Sequence, residues 1–158
     1  MSLKCNPTYS CIQLYTRRLE CAMQHQSIRS QTSDIVQQLG IDGMSSDESE
    51  HDGHCGEATY YVLHKEWRSR NVTAWLHLLD SLHLRMRYRR EWQATAGAWP
   101  HFRTASLKVS NRPPVARLPV NFYCPNWYAA QNAFTKERLQ AQGQSKSVTT
   151  EIPRPFLM

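Results

Sequence analysis

A chain of 158 residues has the length of one ordinary domain and can bury a useful core if most of it folds. Its formal charge of +6 and pI near 9.2 favour contact with polyanions, because Lys and Arg that neutralise phosphates release counterions. No stretch approaches the roughly 20 apolar residues that span a bilayer, the opening Met1-Ser2-Leu3-Lys4-Cys5-Asn6-Pro7 is no secretory signal, and Cys5, Cys11, Cys21, Cys55 and Cys124 include no C-x-x-C pair.

The expectation is an intracellular protein of nucleus or cytoplasm, with no membrane, metal or cofactor and with free thiols. In chain order, Ile12, Tyr15, Leu19 and Ala22 recur at spacings of three and four, which predicts a helix from Ser10 to about Gln26. Arg17, Arg18 and Glu20 would then face away from the core. Asp34 is placed to cap a short second helix, Ile35-Val36-Gln37-Gln38-Leu39, and Gly40 to stop it in the left-handed region.

The run from Asp42 to Gly53 holds three Ser, two Gly and almost nothing apolar. A segment of that composition buries too little surface to offset its ordering entropy. Residues 42–57 therefore read as an acidic flexible loop after an N-terminal helical segment, residues 1–41.

Order returns at Ala58-Thr59-Tyr60-Tyr61-Val62-Leu63, where aromatic and β-branched residues favour a strand. Val72, Trp75, Leu79, Leu82 and Met86 step by three and four along the strongest predicted helix, with Asn71 as its N-cap. Arg85, Arg87, Arg89 and Arg90 load its end, where cations suit the negative pole of the dipole. Ala105, Leu107 and Val109 alternate with Ser106, Lys108 and Ser110 as in a half-buried strand.

The prolines from Arg112-Pro113-Pro114 to Pro119 impose an extended path. Cys124-Pro125 opens a last helix with Trp127, Ala130 and Phe134 on its inner face. These elements make residues 58–140 the main core and residues 141–158 a disordered tail. The fold class that follows is α+β, mainly helical, in one small domain.

Charge is sorted along the chain. Between Arg29 and Lys65 there are seven acids and no Lys or Arg, whereas Lys65 to Arg117 holds eleven Lys/Arg against three acids. The acidic run could fold back on the basic block as an autoinhibitory flap. It could also bind calcium, since Glu48, Glu50, Asp52 and Gly53 fall on positions one, three, five and six of an EF-hand loop. That pattern fails at position twelve, where Thr59 cannot supply the closing carboxylate.

His51, His54, Cys55 and His64 match no metal-ligand spacing. Ser45 and Ser49 are candidates for phosphorylation by an acidophilic kinase, each with an acid three residues on. In the basic block, Arg85, Arg87, Arg89, Arg90, Trp92 and Arg103 are candidates for nucleic-acid binding through phosphate contacts and stacking, although arginines at a helix end also serve as solvated caps. Arg85 to Arg90 fit a nuclear import signal in the same compositional sense. No nucleophile elbow, Walker loop, dinucleotide fingerprint or H-E-x-x-H is present.

Several segments together resemble a large group of uncharacterised proteins predicted from the genomes of mushroom-forming, basidiomycete fungi. They are Asp42-Gly43-Met44-Ser45-Ser46-Asp47-Glu48-Ser49, then Lys65-Glu66-Trp67-Arg68-Ser69, Trp75-Leu76 with Leu79-Asp80, and Arg112-Pro113-Pro114 with Leu118-Pro119 and Asn121-Phe122-Tyr123. The likeness covers about residues 10 to 140. It implies no activity and no catalytic residue, and it loosely suggests association with mobile elements. Where the group tends to have Asp before the proline that opens the last helix, this chain has Cys124, a poorer cap.

The functional expectation is a non-enzymatic interaction protein, associated with nucleic acid or another polyanion through its basic face and regulated by the acidic loop. A degenerate mobile-element protein without a present role is the alternative, and an unrecognised enzyme, which would need a pocket gathering His, Cys or carboxylates, the third.

Overall fold

In the computed structural model, residues 7–24, 29–44, 47–50, 59–89 and 103–146 are described. Helices α1 (Pro7–Gln24), α2 (Arg29–Leu39) and α3 (Arg70–Arg89) carry most of the core. Strands β1 (Asp47–Glu50), β2 (Thr59–His64) and β3 (Arg103–Val109) form one sheet in the order β1-β2-β3. Two short helices follow, α4 (Pro125–Ala130) and α5 (Ala133–Leu139). The protein is a small α+β domain, mainly helical.

α1 forms where the apolar spacing predicts it, but with a different face inward. Cys11, Leu14, Arg18, Cys21 and Ala22 are buried, Tyr15 and Leu19 half-buried, and Ile12 is 40% exposed. Arg18, expected in solvent, is 1% exposed. A hydrophobicity pattern ranks arginine as an outside residue. It cannot register the carboxylate that another helix brings to meet it.

α2 begins five residues before Asp34, so this acid lies on the exposed side of the helix and does not cap it. Gly40 ends α2 as expected, at φ +57° with its N–H on the Val36 carbonyl. The chain then makes an abrupt turn: Gly43 donates to the Leu39 oxygen at 2.9 Å and Met44 to that of Ile41 at 3.0 Å. A Cβ on Gly43 would meet that Leu39 oxygen at 2.5 Å and the Leu39 Cβ at 2.7 Å. Gly43→Ala should therefore cost about 1–3 kcal/mol, read as a lower urea midpoint at unchanged slope.

The acidic run is not a loop throughout. Asp47–Glu50 pair antiparallel with β2, Asp47 opposite Val62 and Glu50 opposite Thr59. Composition argued for disorder because it counts only what a segment buries by itself. An edge strand is held instead by backbone hydrogen bonds to a neighbour with strong β preference, here the Tyr60-Tyr61-Val62 stretch. Ser45 and residues 51–58 lie outside the described residues.

β3 pairs parallel with β2, a connection that needs a crossover, and α3 supplies it. Ser69 caps α3 in place of the expected Asn71: its Oγ accepts from the Val72 N–H at 3.3 Å. Val72, Trp75, Leu79 and Leu82 are buried as the spacing requires. β3 departs from expectation, because Leu107 is 101% exposed and Val109 also stands in solvent.

The cause is a register shift. Val62 faces Ala105 but His64 faces Val109, so extra residues of β3 bulge out and break the alternation. Within that bulge the Ser106 hydroxyl accepts from the Lys108 N–H at 3.0 Å.

The expected last helix is two helices. Pro125 opens α4 after Cys124, whose side chain makes no cap hydrogen bond, and α5 starts afresh where the Asn132 side chain accepts from the Thr135 N–H at 2.8 Å. Trp127 and Tyr128 pack on the core and Leu139 is buried, while Ala130 is exposed and Phe134 is 67% exposed. The first part of the expected tail is docked: Gln142 exchanges backbone hydrogen bonds with Leu118 and Val120, and Lys146 pairs with Asn121. Residues 147–158 lie outside the described residues.

Candidate functional site

Four segments meet at one polar centre. α1 supplies Arg18, α3 supplies Asp80, the turn after α2 supplies Asp42-Gly43-Met44, and the link between β2 and α3 supplies Lys65 and Arg68. The link is pinned in place by the C-terminal part of the chain. Ser69 donates to the Phe122 carbonyl and Cys124 to that of Trp67, both at 2.8 Å, and Tyr123 packs its ring against Trp67. The Tyr123 hydroxyl in turn donates to the Val115 carbonyl at 2.6 Å.

Arg18 grips Asp80 with two bonds, Nε to Oδ1 at 2.9 Å and Nη2 to Oδ2 at 2.6 Å. Its Nη1 reaches the Met44 sulfur at 3.1 Å. The fork of a guanidinium matches both oxygens of a carboxylate, and burial makes such a pair costly to break. Arg68 donates Nη1 to the Gly43 carbonyl at 2.7 Å and Nε to the Thr73 hydroxyl at 3.0 Å. Lys65 donates to the Asp42 carbonyl at 3.0 Å and lies over the Trp67 ring.

The opening of the acidic run is thus drawn onto the basic block, but chiefly through its backbone carbonyls. Asp42 also meets Arg112 through its carboxylate, at 3.5 Å and exposed. Surface pairs of this kind contribute little.

Burial, then Arg68 and Arg112 nearby, push the Lys65 ammonium down to about 8. Burial and the Arg18 charge push Arg68 down to about 9, against a pull from Asp80. Cys21, whose thiol donates to the Leu79 carbonyl, is pushed up to about 11 by burial and by Asp80, which makes it an inert thiol.

One side of this centre is open. Val62, Leu63, His64, Lys65 and Arg68 on the β2 side, Thr73, His77 and Asp80 on α3, and Ala105 and Ser106 on β3 line a cleft of about 420 Å³. Its chemistry is that of a cationic recess. Asp80, the carboxylate in its wall, accepts from Arg18 through both oxygens.

The candidates read from the sequence are placed as follows. Arg85 is exposed on α3, Arg87 and Arg89 belong to its last turns, and Arg103 opens β3 opposite Tyr60. Arg90 and Trp92 lie outside the described residues, as do Ser45, His51, His54 and Cys55. Ser49 sits in β1 opposite Tyr60. No pattern along the chain marks Arg18, Lys65, Arg68 and Asp80 as a set, because they are up to 62 residues apart and each alone reads as a solvated charge.

The centre does bring together the segments that carried the fungal resemblance, from Asp42-Gly43-Met44 to Asn121-Phe122-Tyr123. A family model described as "Domain of unknown function (DUF8263)" matches residues 6–147, a span that includes every described residue. The chain belongs to this family. Its DUF8263 domain accordingly contains the whole polar centre and the cleft. No curated protein and no solved structure matches the chain. No helix among the described residues is long and apolar enough to cross a membrane.

Proposed function

We propose that the protein is a non-enzymatic interaction protein that holds nucleic acid on a basic face built from the second half of α3 and from β3. One observation supports it above the rest: α3 runs unbroken to Arg89, carrying Arg85, Arg87 and Arg89 beyond the turn that lines the cationic cleft. At 1.5 Å per residue, His77 to Arg89 spans about 18 Å, a length along which a duplex presents several phosphates. Arg103 and the exposed Lys108 extend the basic character onto β3.

The acidic run is the regulatory element of this reading. β1 is bonded to β2, the strand beside β3, so a phosphate on Ser49 would add about −1.5 to −2 charges beside that face and oppose a polyanion; Ser45, two residues ahead of β1 in the sequence, is the second candidate for the same modification. Arg85 to Arg90 would serve nuclear import as well as binding.

Retention on DNA or RNA as a function of salt tests the proposal. Affinity should fall linearly on a logarithmic salt scale, and Arg85→Ala, Arg87→Ala and Arg89→Ala combined should reduce that slope by about 3. Absence of binding at low salt, or an unchanged slope in the triple variant, would overturn it.

A further inference from the structure

The C-terminal part of the domain carries a basic surface of its own, none of it on α3 or β3. From Pro113 to Lys146 the charged residues are Arg117, Lys136, Arg138 and Lys146 against Glu137 alone. The partners of the four cations are neutral groups. Lys136 donates to the Ala129 carbonyl at 3.2 Å and lies over the Tyr128 ring, and Lys146 donates to Gln38 Oε1 at 3.3 Å. Arg117 Nε donates to Gln140 Oε1 at 3.1 Å, and the Arg138 guanidinium lies over the Phe134 ring at 5.9 Å. Among the described residues no carboxylate pairs with any of the four. Glu137 stands between Lys136 and Arg138 in the sequence, but successive residues of a helix point apart.

An aromatic ring belongs to the same surface. Phe134, expected on the inner face of the last helix, is 67% exposed in the first turn of α5. The Asn132 cap fixes that turn, and Arg138, one turn further on, holds the ring by a cation–π contact.

Two residues at the end of α5 have left-handed backbone without being glycine, Arg117 at φ 61° and Gln140 at φ 47°. Such backbone costs an L residue energy that glycine avoids. Here both side chains are used. The bond between them, with the Arg117 N–H on the Leu139 carbonyl, holds the Arg117 guanidinium beside the end of α5 and leaves its Nη groups as donors.

We propose that this surface binds single-stranded nucleic acid, one base stacking on Phe134 and nearby phosphates meeting Arg138, Lys136 and Arg117. The site is separate from the α3 face and rests on the nucleic-acid reading only for the class of polyanion. From Phe134 to Gln140 the chain rises about 9 Å, the length of two or three nucleotides at the ~3.4 Å spacing of a stacked strand. A single strand uses both features of the surface: its phosphates answer the cations, and every base has a π face for a ring to cover. In a duplex those faces are already stacked. An acidic peptide would engage the cations and leave the ring idle.

Fluorescence anisotropy of a labelled oligothymidylate of about twelve nucleotides with the full chain is the test. Because α3 can also attract a polyanion, the parent and the combined Arg85→Ala, Arg87→Ala, Arg89→Ala variant both serve as backgrounds. In each, Phe134→Ala should weaken single-strand binding about tenfold at unchanged melting temperature and unchanged salt slope, since stacking releases no counterions. Phe134→Tyr should keep the affinity and Phe134→Leu should not. Arg138→Gln should lower the slope by about 0.7, the value for one phosphate contact in a single strand. Arg117→Gly suits the left-handed backbone, so it should weaken binding with no fall in melting temperature. Affinity for a blunt duplex should be the same in the parent and in Phe134→Ala.

Equal affinity of the parent and Phe134→Ala for the single strand would overturn the proposal. So would displacement of the oligonucleotide by a glutamate peptide of equal charge as readily as by unlabelled oligothymidylate, which would assign the surface to an acidic protein. Failure of the α3 reading shows elsewhere, as an unchanged duplex slope in the triple variant, and leaves the effect of Phe134 on the single strand intact.

Discussion

Asp80→Asn should lower the stability of the protein by about 3–5 kcal/mol, because it removes the charge on which a buried arginine depends. The side chain of Arg18 is almost completely enclosed, and both of its bonds to Asp80 would lose their ionic partner while the guanidinium stayed buried. Arg68, which also feels the Asp80 charge, would lose that compensation at the same time. For a chain of this size the change corresponds to roughly 6–20 °C in melting temperature.

The loss would be a penalty for an orphaned charge rather than the net worth of the ion pair. The double variant Arg18→Met, Asp80→Leu should accordingly be more stable than Asp80→Leu alone, since the Arg18 guanidinium is then no longer left buried without its partner; Arg18→Met completes the cycle. Urea denaturation of the four proteins in this cycle gives the comparison. A value for Asp80→Asn within about 0.5 kcal/mol of the parent would mean that the pair is effectively solvated.

Met44→Ala should cost about 2–5 kcal/mol, the range for emptying a buried long side chain. The prediction separates two descriptions of the acidic run. In a flexible loop, truncating Met44 would change stability hardly at all. In the structure Met44 is 0% exposed, packs in the core with Leu39 and Trp75, and offers its sulfur to Arg18.

Methionine suits that place because its unbranched, polarisable thioether fits irregular gaps. The turn through Gly43 is what delivers it there, so Gly43→Ala and Met44→Ala should share part of their effect. Equilibrium unfolding of the pair and their combination would show it as non-additivity.

Elements with strong local periodicity were legible in the chain. α3 was readable from Val72, Trp75, Leu79 and Leu82 because a long amphipathic stripe has only one good use, and β2 from a run of aromatic and β-branched residues. Gly40 was readable because a left-handed helix stop suits few other residues. Ends were less legible. Ser69 and Asn71 are both good caps, and the choice fell to Ser69 because Phe122 and Tyr123 fix the backbone there.

The polar centre was not legible at all. Arg18 stands on a helix whose apolar residues can be read as either of two overlapping stripes, and only the position of Asp80 selects between them. The same holds for Lys65 and Arg68, whose acceptors are backbone carbonyls of residues 42 and 43, groups that every residue carries and that no side-chain pattern announces.

The sequence by itself determined the fold class, the helical and strand character of the long elements, and the sorted charge. Those follow from properties of neighbouring residues. The tertiary structure alone decided that an acidic run would supply a core methionine and an edge strand, that Arg18 would turn inward to Asp80, and that Lys65 and Arg68 would meet at an open cleft. Each depends on a partner far along the chain, and a buried charge or an edge strand is stable only once that partner is in place.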